Sequence, residues 1–147
     1  MMFERGHDGT FNPPGHYPAQ SLATFNTHDL ATFRGWMSGH DLAVKHAIGL
    51  DPGEDEPARE QSRTALRYVL LGGDDFPAVA GYLAQTPSRL VMVGIEDLLD
   101  VEDQINVPST VNEHPNWRRR LPVPLEQVAS TIDVAALKAA TRARSRA

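Results

Sequence analysis

The chain of 147 residues has no cysteine. Disulfides and thiolate-ligated metal sites are thereby excluded, and the absence fits a cytoplasmic setting. No apolar run approaches the roughly 20 residues that a membrane-spanning helix needs. Residues 1–15 carry charges where a signal peptide would have an apolar core, so no membrane partner is expected. Excess positive charge is also missing. The formal net charge is -5, which argues against a nucleic-acid-binding surface. Basic residues gather only at Arg118, Arg119 and Arg120 and in the tail at Lys138, Arg142, Arg144 and Arg146. The tail reads as a solvated helix end, where cations suit the C-terminal dipole.

What remains is ordinary globular material. Hydrophobic residues make up 41% and charged residues 22%, close to the soluble average, and the length suits one domain. Residues 1–20, rich in Gly, Pro and His, read as loop. Residues 21–25 suit a short buried strand through Leu22, Thr24 and Phe25, and the polar run Asn26-Thr27-His28-Asp29 ends it. Helical turns are expected over 30–37 and, capped by Asp41, over 42–48. Residues 54–71 give the clearest helix, with an acidic first turn, Ala65, Leu66, Val69 and Leu70 on one face, and Gly72-Gly73 as its stop. A further helix is expected over 76–85.

Residues 89–93, with Leu90, Val91, Met92 and Val93, read as a second buried strand. A short helix follows at 95–99. Residues 100–124 form a long Pro-containing segment without periodicity, of the kind that is functional or disordered. Pro124 suits the first position of a helix reaching residue 130. Asp133 caps a last helix from 134 to about 144, with Leu137 as its main apolar residue. Two strands with a helical crossover predict a helix-rich α/β fold. Their unpaired apolar edges suggest that the chain is one partial domain of something larger.

Three groups of residues carry chemistry. His28-Asp29-Leu30 follows the first strand, and a carboxylate beside an imidazole at a strand's C-terminal end suits stabilisation of positive charge at a sugar anomeric carbon. The alternative is that Asp29 caps the next helix. His40-Asp41-Leu42 repeats the triplet, so His28, Asp29, His40 and Asp41 invite a metal-dependent hydrolase reading. No His-x-x-x-His or cysteine set supports that reading, and neither a metal nor a cofactor is expected. The third group runs from Gln104 through Asn106 to Trp117 and Arg118. Amides and guanidinium groups hydrogen-bond sugar hydroxyls, and an indole can face a pyranose ring. Trp117 as a core plug with Arg118 on a carboxylate is the structural alternative.

Three segments together resemble the amylomaltase family of 4-α-glucanotransferases. They are residues 17–30, ending in Asn26-Thr27-His28-Asp29-Leu30; Arg34-Gly35-Trp36; and residues 106–119, from Asn106-Val107-Pro108-Ser109-Thr110 to Asn116-Trp117-Arg118-Arg119. The third is the most specific, and the likeness runs from Phe3 to about Leu125. The resemblance implies a (β/α)8 barrel, of which this chain would be the C-terminal part, about the last two strand–helix units. It implies retaining transfer of an α-1,4-glucan segment to glucose or a maltodextrin. It also implies roles: Asp29 as the third, transition-state-stabilising carboxylate, His28 and Asn106 as substrate-binding residues, and 116–119 as scaffold.

Three departures mark the motifs: Ala31 stands for a proline, Met37 for a tryptophan, and Ser109 for a glycine whose turn would strain a larger residue if φ is positive. The nucleophile and acid/base of the family are expected upstream of Phe3. Retaining transfer needs two carboxyl groups about 5 Å apart, so the chain alone is expected to be inactive. It would then serve as part of a split enzyme beside an N-terminal complementing chain, or as a non-catalytic glucan-binding module.

Overall fold

Two short strands, β1 (Leu22–Ala23) and β2 (Leu90–Val91), pair in parallel, with Leu22 opposite Leu90 and Ala23 opposite Val91. The structure is a computed structural model in which residues 1–142 are described. Four helices fill the crossover between the strands: α1 (Phe33–Ser38), α2 (His40–Ala47), α3 (Glu56–Val69) and α4 (Phe76–Ala84). Beyond β2 come α5 (Ile95–Leu98), the irregular segment 100–124, α6 (Leu125–Thr131) and α7 (Val134–Ala140). Before β1, the amino group of Met1 donates to Thr24 O at 2.6 Å, and Arg5 bridges Phe11 in antiparallel fashion. Among the described residues no helix is long and apolar enough to cross a membrane.

Side-chain caps set where the helices begin. Asp55 accepts from Ala58 N and Asp75 from Ala78 N, both at 2.9 Å, and each is followed within two residues by a proline that needs no donor there. Thr32 caps α1 through Gly35 N at 3.0 Å, and Asp133 caps α7 through Ala136 N. Several expected boundaries therefore move. The first helix starts at Phe33 and not at Leu30, which removes the capping role considered for Asp29. Gly39, in the left-handed conformation, closes α1 and opens α2. Asp41 lies inside the first turn of α2 and is a buried ion-pair member instead of a cap. Pro124 stands at the N-cap of α6. Helix α7 ends at Ala140, while Arg144 and Arg146 lie outside the described residues.

The core lies between the sheet and the crossover helices. Phe33 meets Phe25 edge-on at 5.5 Å and Phe76 at 5.8 Å, and Trp36 meets Phe25 at 6.4 Å. Val79 and Leu83 of α4 and Leu66 of α3 complete it, all essentially inaccessible. The strands are buried on one face only. Ala23 and Phe25 point into the core and Val91 and Val93 pack against it, whereas Leu22, Leu90 and Met92 are 46%, 59% and 53% exposed. Two-residue alternation sends successive side chains to opposite faces, and the helices cover just one of these. The expectation of fully buried strands is corrected accordingly.

Candidate functional site

Residues 26–32 leave β1 and form a tight turn, with Leu30 N donating to Thr27 O at 3.0 Å. This turn carries His28 and Asp29, about half-exposed, with His28 Nε2 3.4 Å from Asp29 Oδ2. The segment that follows α5 comes back over the same turn. Asn106 Nδ2 donates to Asp29 Oδ1 at 2.6 Å. Gln104 Nε2 donates to the Asp29 carbonyl at 3.0 Å and to the Asn106 carbonyl at 2.6 Å, so one buried amide holds both backbones. The structure thus brings His28, Asp29 and Asn106 together from positions far apart in sequence.

The segment 104–117 is rigidified by its own polar side chains. Asn116 accepts from Val107 N at 2.9 Å and donates to Thr110 Oγ1 at 2.7 Å, and buried His114 sets Nε2 3.1 Å from Gln104 O. Ser109 sits at φ 68°, the left-handed region that favours glycine. Trp117 sits at φ 59° with its N–H on Ile105 O, and its ring lies 5.1 Å from that of His28 at 49°. At 63% exposure it is no core plug. Within the run 118–120 it is Arg119 that sits on a carboxylate, that of Asp103. Strain of this kind is held only where surrounding structure over-determines it.

Behind the turn, buried Asp97 of α5 accepts on Oδ1 from Phe33 N at 2.7 Å and from Asn26 Nδ2 at 3.4 Å, while Oδ2 has no hydrogen-bond partner among the described residues. Burial pushes its carboxyl up to about 6. Thr32 Oγ1 donates to Glu102 O at 3.1 Å, and a side chain at neighbouring Gly35 would collide with that same carbonyl. Asp97 is the residue that sequence reasoning passed over, and Gln104, named there among the amides of the loop, turns out to hold the backbone. The available signal for Asp97 was a carboxylate in the first turn of a very short helix.

The second His-Asp pair does something else. His40 Nε2 lies 3.0 Å from Asp103 Oδ1. Asp41 takes both terminal nitrogens of Arg59, at 2.8 and 2.9 Å. Arg59 also reaches Glu54 and the Trp36 carbonyl and lies over the Trp36 ring. Among the described residues no group of three or more His, Cys, Asp or Glu is placed to hold a metal ion. The metal-centre reading of His28, Asp29, His40 and Asp41 is corrected on this geometry.

Chemically, the cluster offers a carboxylate open to solvent, an imidazole and an amide, with a cleft of about 500 Å³ running behind Asp29 past Arg5, Lys45 and Glu54. Hydroxyl-rich ligands suit such donors and acceptors, and a fixed carboxylate stabilises developing positive charge. The placement is that of α/β proteins, whose ligands sit beyond the C-terminal ends of parallel strands.

Comparison with known proteins narrows the class. The 4-alpha-glucanotransferase model of glycoside hydrolase family 77 matches residues 1–126, and the chain belongs to that family. It is 30% identical to a 4-alpha-glucanotransferase of Haemophilus influenzae over 152 residues, covering 88% of this chain and 22% of that protein. A 4-alpha-glucanotransferase of Mycobacterium tuberculosis is 30% identical over 168 residues, covering 97% of this chain and 23% of its own length. The crystal structure of amylomaltase from Corynebacterium glutamicum superposes with a TM-score of 0.79 over 95% of this chain and 24% of that one, at 19% identity. That likeness is one of fold, and the chain is a helix-rich α/β piece matching part of the amylomaltase structure. It spans less than a quarter of the relatives it matches.

Proposed function

We propose that this chain supplies one side of the glucan-transfer site of a 4-α-glucanotransferase, as about the last two strand–helix units of a (β/α)8 barrel. Asp29 is the carboxylate that stabilises the oxocarbenium-like transition state. His28 and Asn106 bind sugar hydroxyls, and the exposed Trp117 ring offers an apolar face to a pyranose. The substrate is an α-1,4-glucan or maltodextrin. The observation that carries this reading is the 2.6 Å contact between Asn106 Nδ2 and Asp29 Oδ1, on the segments that follow the two parallel strands. It orients one carboxylate oxygen, and Oδ2 lies toward His28.

Retaining transfer needs a nucleophile and an acid/base about 5 Å apart, and we assign these to other parts of the barrel. A second reading, a complementing module, is favoured by the bare row Leu22, Leu90 and Met92. Such a row suits the filled interior of a closed barrel, presented here to strands of another segment or a companion chain.

The test is titration of the chain with maltoheptaose, read at the Asn106 side-chain amide by NMR, together with maltotriose disproportionation. Saturable binding that Asp29→Ala and His28→Ala each weaken about tenfold, with no turnover, supports the partial site. Absence of binding, or binding that both variants leave untouched, retires the site. Turnover abolished by Asp29→Ala would mean that the chain itself brings the remaining carboxyl groups together.

A further inference from the structure

The turn that carries His28 and Asp29 is closed at its base by one oxygen. Asn26, where the chain enters the turn, and Phe33, where it leaves, both donate to Asp97 Oδ1. The Asn26 amide also donates to Ala31 O at 2.8 Å, so the same contact ties entry to exit. At the tip, Gln104 and Asn106 fasten Asp29. Base and tip are therefore anchored to the two ends of one segment, α5 and the loop that follows it.

An amide at position 97 would accept the same two hydrogen bonds without burying a charge. The carboxylate instead leaves Oδ2 without a hydrogen-bond partner among the described residues, and a buried unpaired charge works against the fold. What ionisation brings is stronger bonding, since charge-assisted hydrogen bonds are roughly twice as strong as neutral ones. Asp97 borders a cavity of about 100 Å³ that reaches beneath His28, along with Met92 and Ile105. On its other side it lines a cleft of about 610 Å³ between α1, α4 and α7.

We infer that Asp97 is a positioning residue for the Asp29 site: its Oδ1 ties the 26–32 turn to α5, and a change in its protonation state is passed through that turn to Asp29. The proton goes to the unpartnered Oδ2, and Oδ1 keeps its two donors as a weaker, neutral acceptor. The inference rests on the reading of Asp29 as a glucan-site carboxylate. Groups facing Asp97 are Glu96 on its own helix, His28 across the small cavity, and Arg34, Asp74, Asp75, Asp100 and Asp133 around the cleft. Glu96 opposes its ionisation, adding to the effect of burial. His28 lies against Asp29 itself, so the experiment must separate the two.

An NMR pH titration of the intact chain, from about pH 4.5 to about pH 8, follows the Phe33 backbone amide and the Asn106 side-chain amide, the reporter on Asp29. Both are expected to show a step with a shared midpoint near 6. Asp97→Asn should abolish the step at both, and His28→Gln should leave it at both. A step at Asn106 that survives Asp97→Asn, or that vanishes in His28→Gln, overturns the inference. So does a Phe33 amide that does not titrate in the wild-type chain, a result available even if Asp97→Asn fails to fold. These spectra contain no glucan. Failure to bind maltoheptaose with the coupled step intact would count against the functional reading and not against the coupling.

Discussion

His28-Asp29-Leu30 and His40-Asp41-Leu42 are the same tripeptide in two settings. Asp41 is buried, with both carboxylate oxygens on Arg59, and Arg59 spends its remaining donors on Glu54 and the Trp36 carbonyl. Asp29 is about half-exposed, with one oxygen on an amide and the other toward an imidazole. The first arrangement consumes its bonding capacity internally and holds α2 and α3 together. The second keeps unused acceptor capacity facing outward. Backbone context decides between them, because one triplet leaves a strand through a turn and the other opens a helix against an arginine from a neighbouring helix. A carboxylate's unspent valence, more than its neighbours in sequence, separates a site from a scaffold.

That contrast is most exposed to test at Arg59. Arg59→Ala strands the Asp41 charge in the interior and should cost about 3–5 kcal/mol, whereas Asp29→Ala should stay within about 0.5 kcal/mol. Urea denaturation of the two variants measures both, and equal losses would erase the distinction. Asp97 comes next. A carboxyl raised in the folded state keeps its proton longer than the unfolded chain does. Its contribution to stability is therefore complete below about 3.8 and is lost as pH rises through about 6. The loss amounts to at most roughly 3 kcal/mol. Subtracting the stability–pH curve of Asp97→Asn from that of the wild type isolates it, and a flat difference would place Asp97 among ordinary surface carboxylates. The smallest effect belongs to Ser109→Gly, which relieves a left-handed serine and should raise stability by about 1 kcal/mol or less. A lower melting temperature would show that the serine is not strained.

Much of the fold was legible because local chemistry and tertiary packing agree. The helices expected over 54–71 and 76–85 are found at Glu56–Val69 and Phe76–Ala84, each begun by a side-chain cap, Asp55 and Asp75. Leu66 and Leu70 fall on the buried face that their spacing predicts. The strands were legible as strands, but which face was bare was not. Leu22 and Leu90 read as core because β-rich apolar runs usually are, and only the placement of the helices shows them on the exposed face. Likewise Asp41 resembled a cap until Arg59, eighteen residues away, claimed it. Within the candidate site, the motifs pointed to His28, Asp29 and Asn106. Of the buried polar residues behind them, Gln104 was noticed only as one amide of the loop and Asp97 escaped notice. An isolated amide or carboxylate has no periodicity, and its role is set by atoms some 70 residues distant.

The parallel pairing of β1 with β2 also divides local contacts from long-range ones. The two strands meet only after the whole stretch 24–89 has been folded back between them, and closing a long loop costs entropy before its contacts give anything in return. The caps and turns of the helices in that stretch are local. Contacts within the crossover are thus local, whereas strand pairing and the meeting of Asp29 with Asn106 are long-range closures. The chain's two tryptophans stand on opposite sides of this division: Trp36 is buried among Phe25, Arg59 and the helical core, and Trp117 meets His28 across some ninety residues of chain.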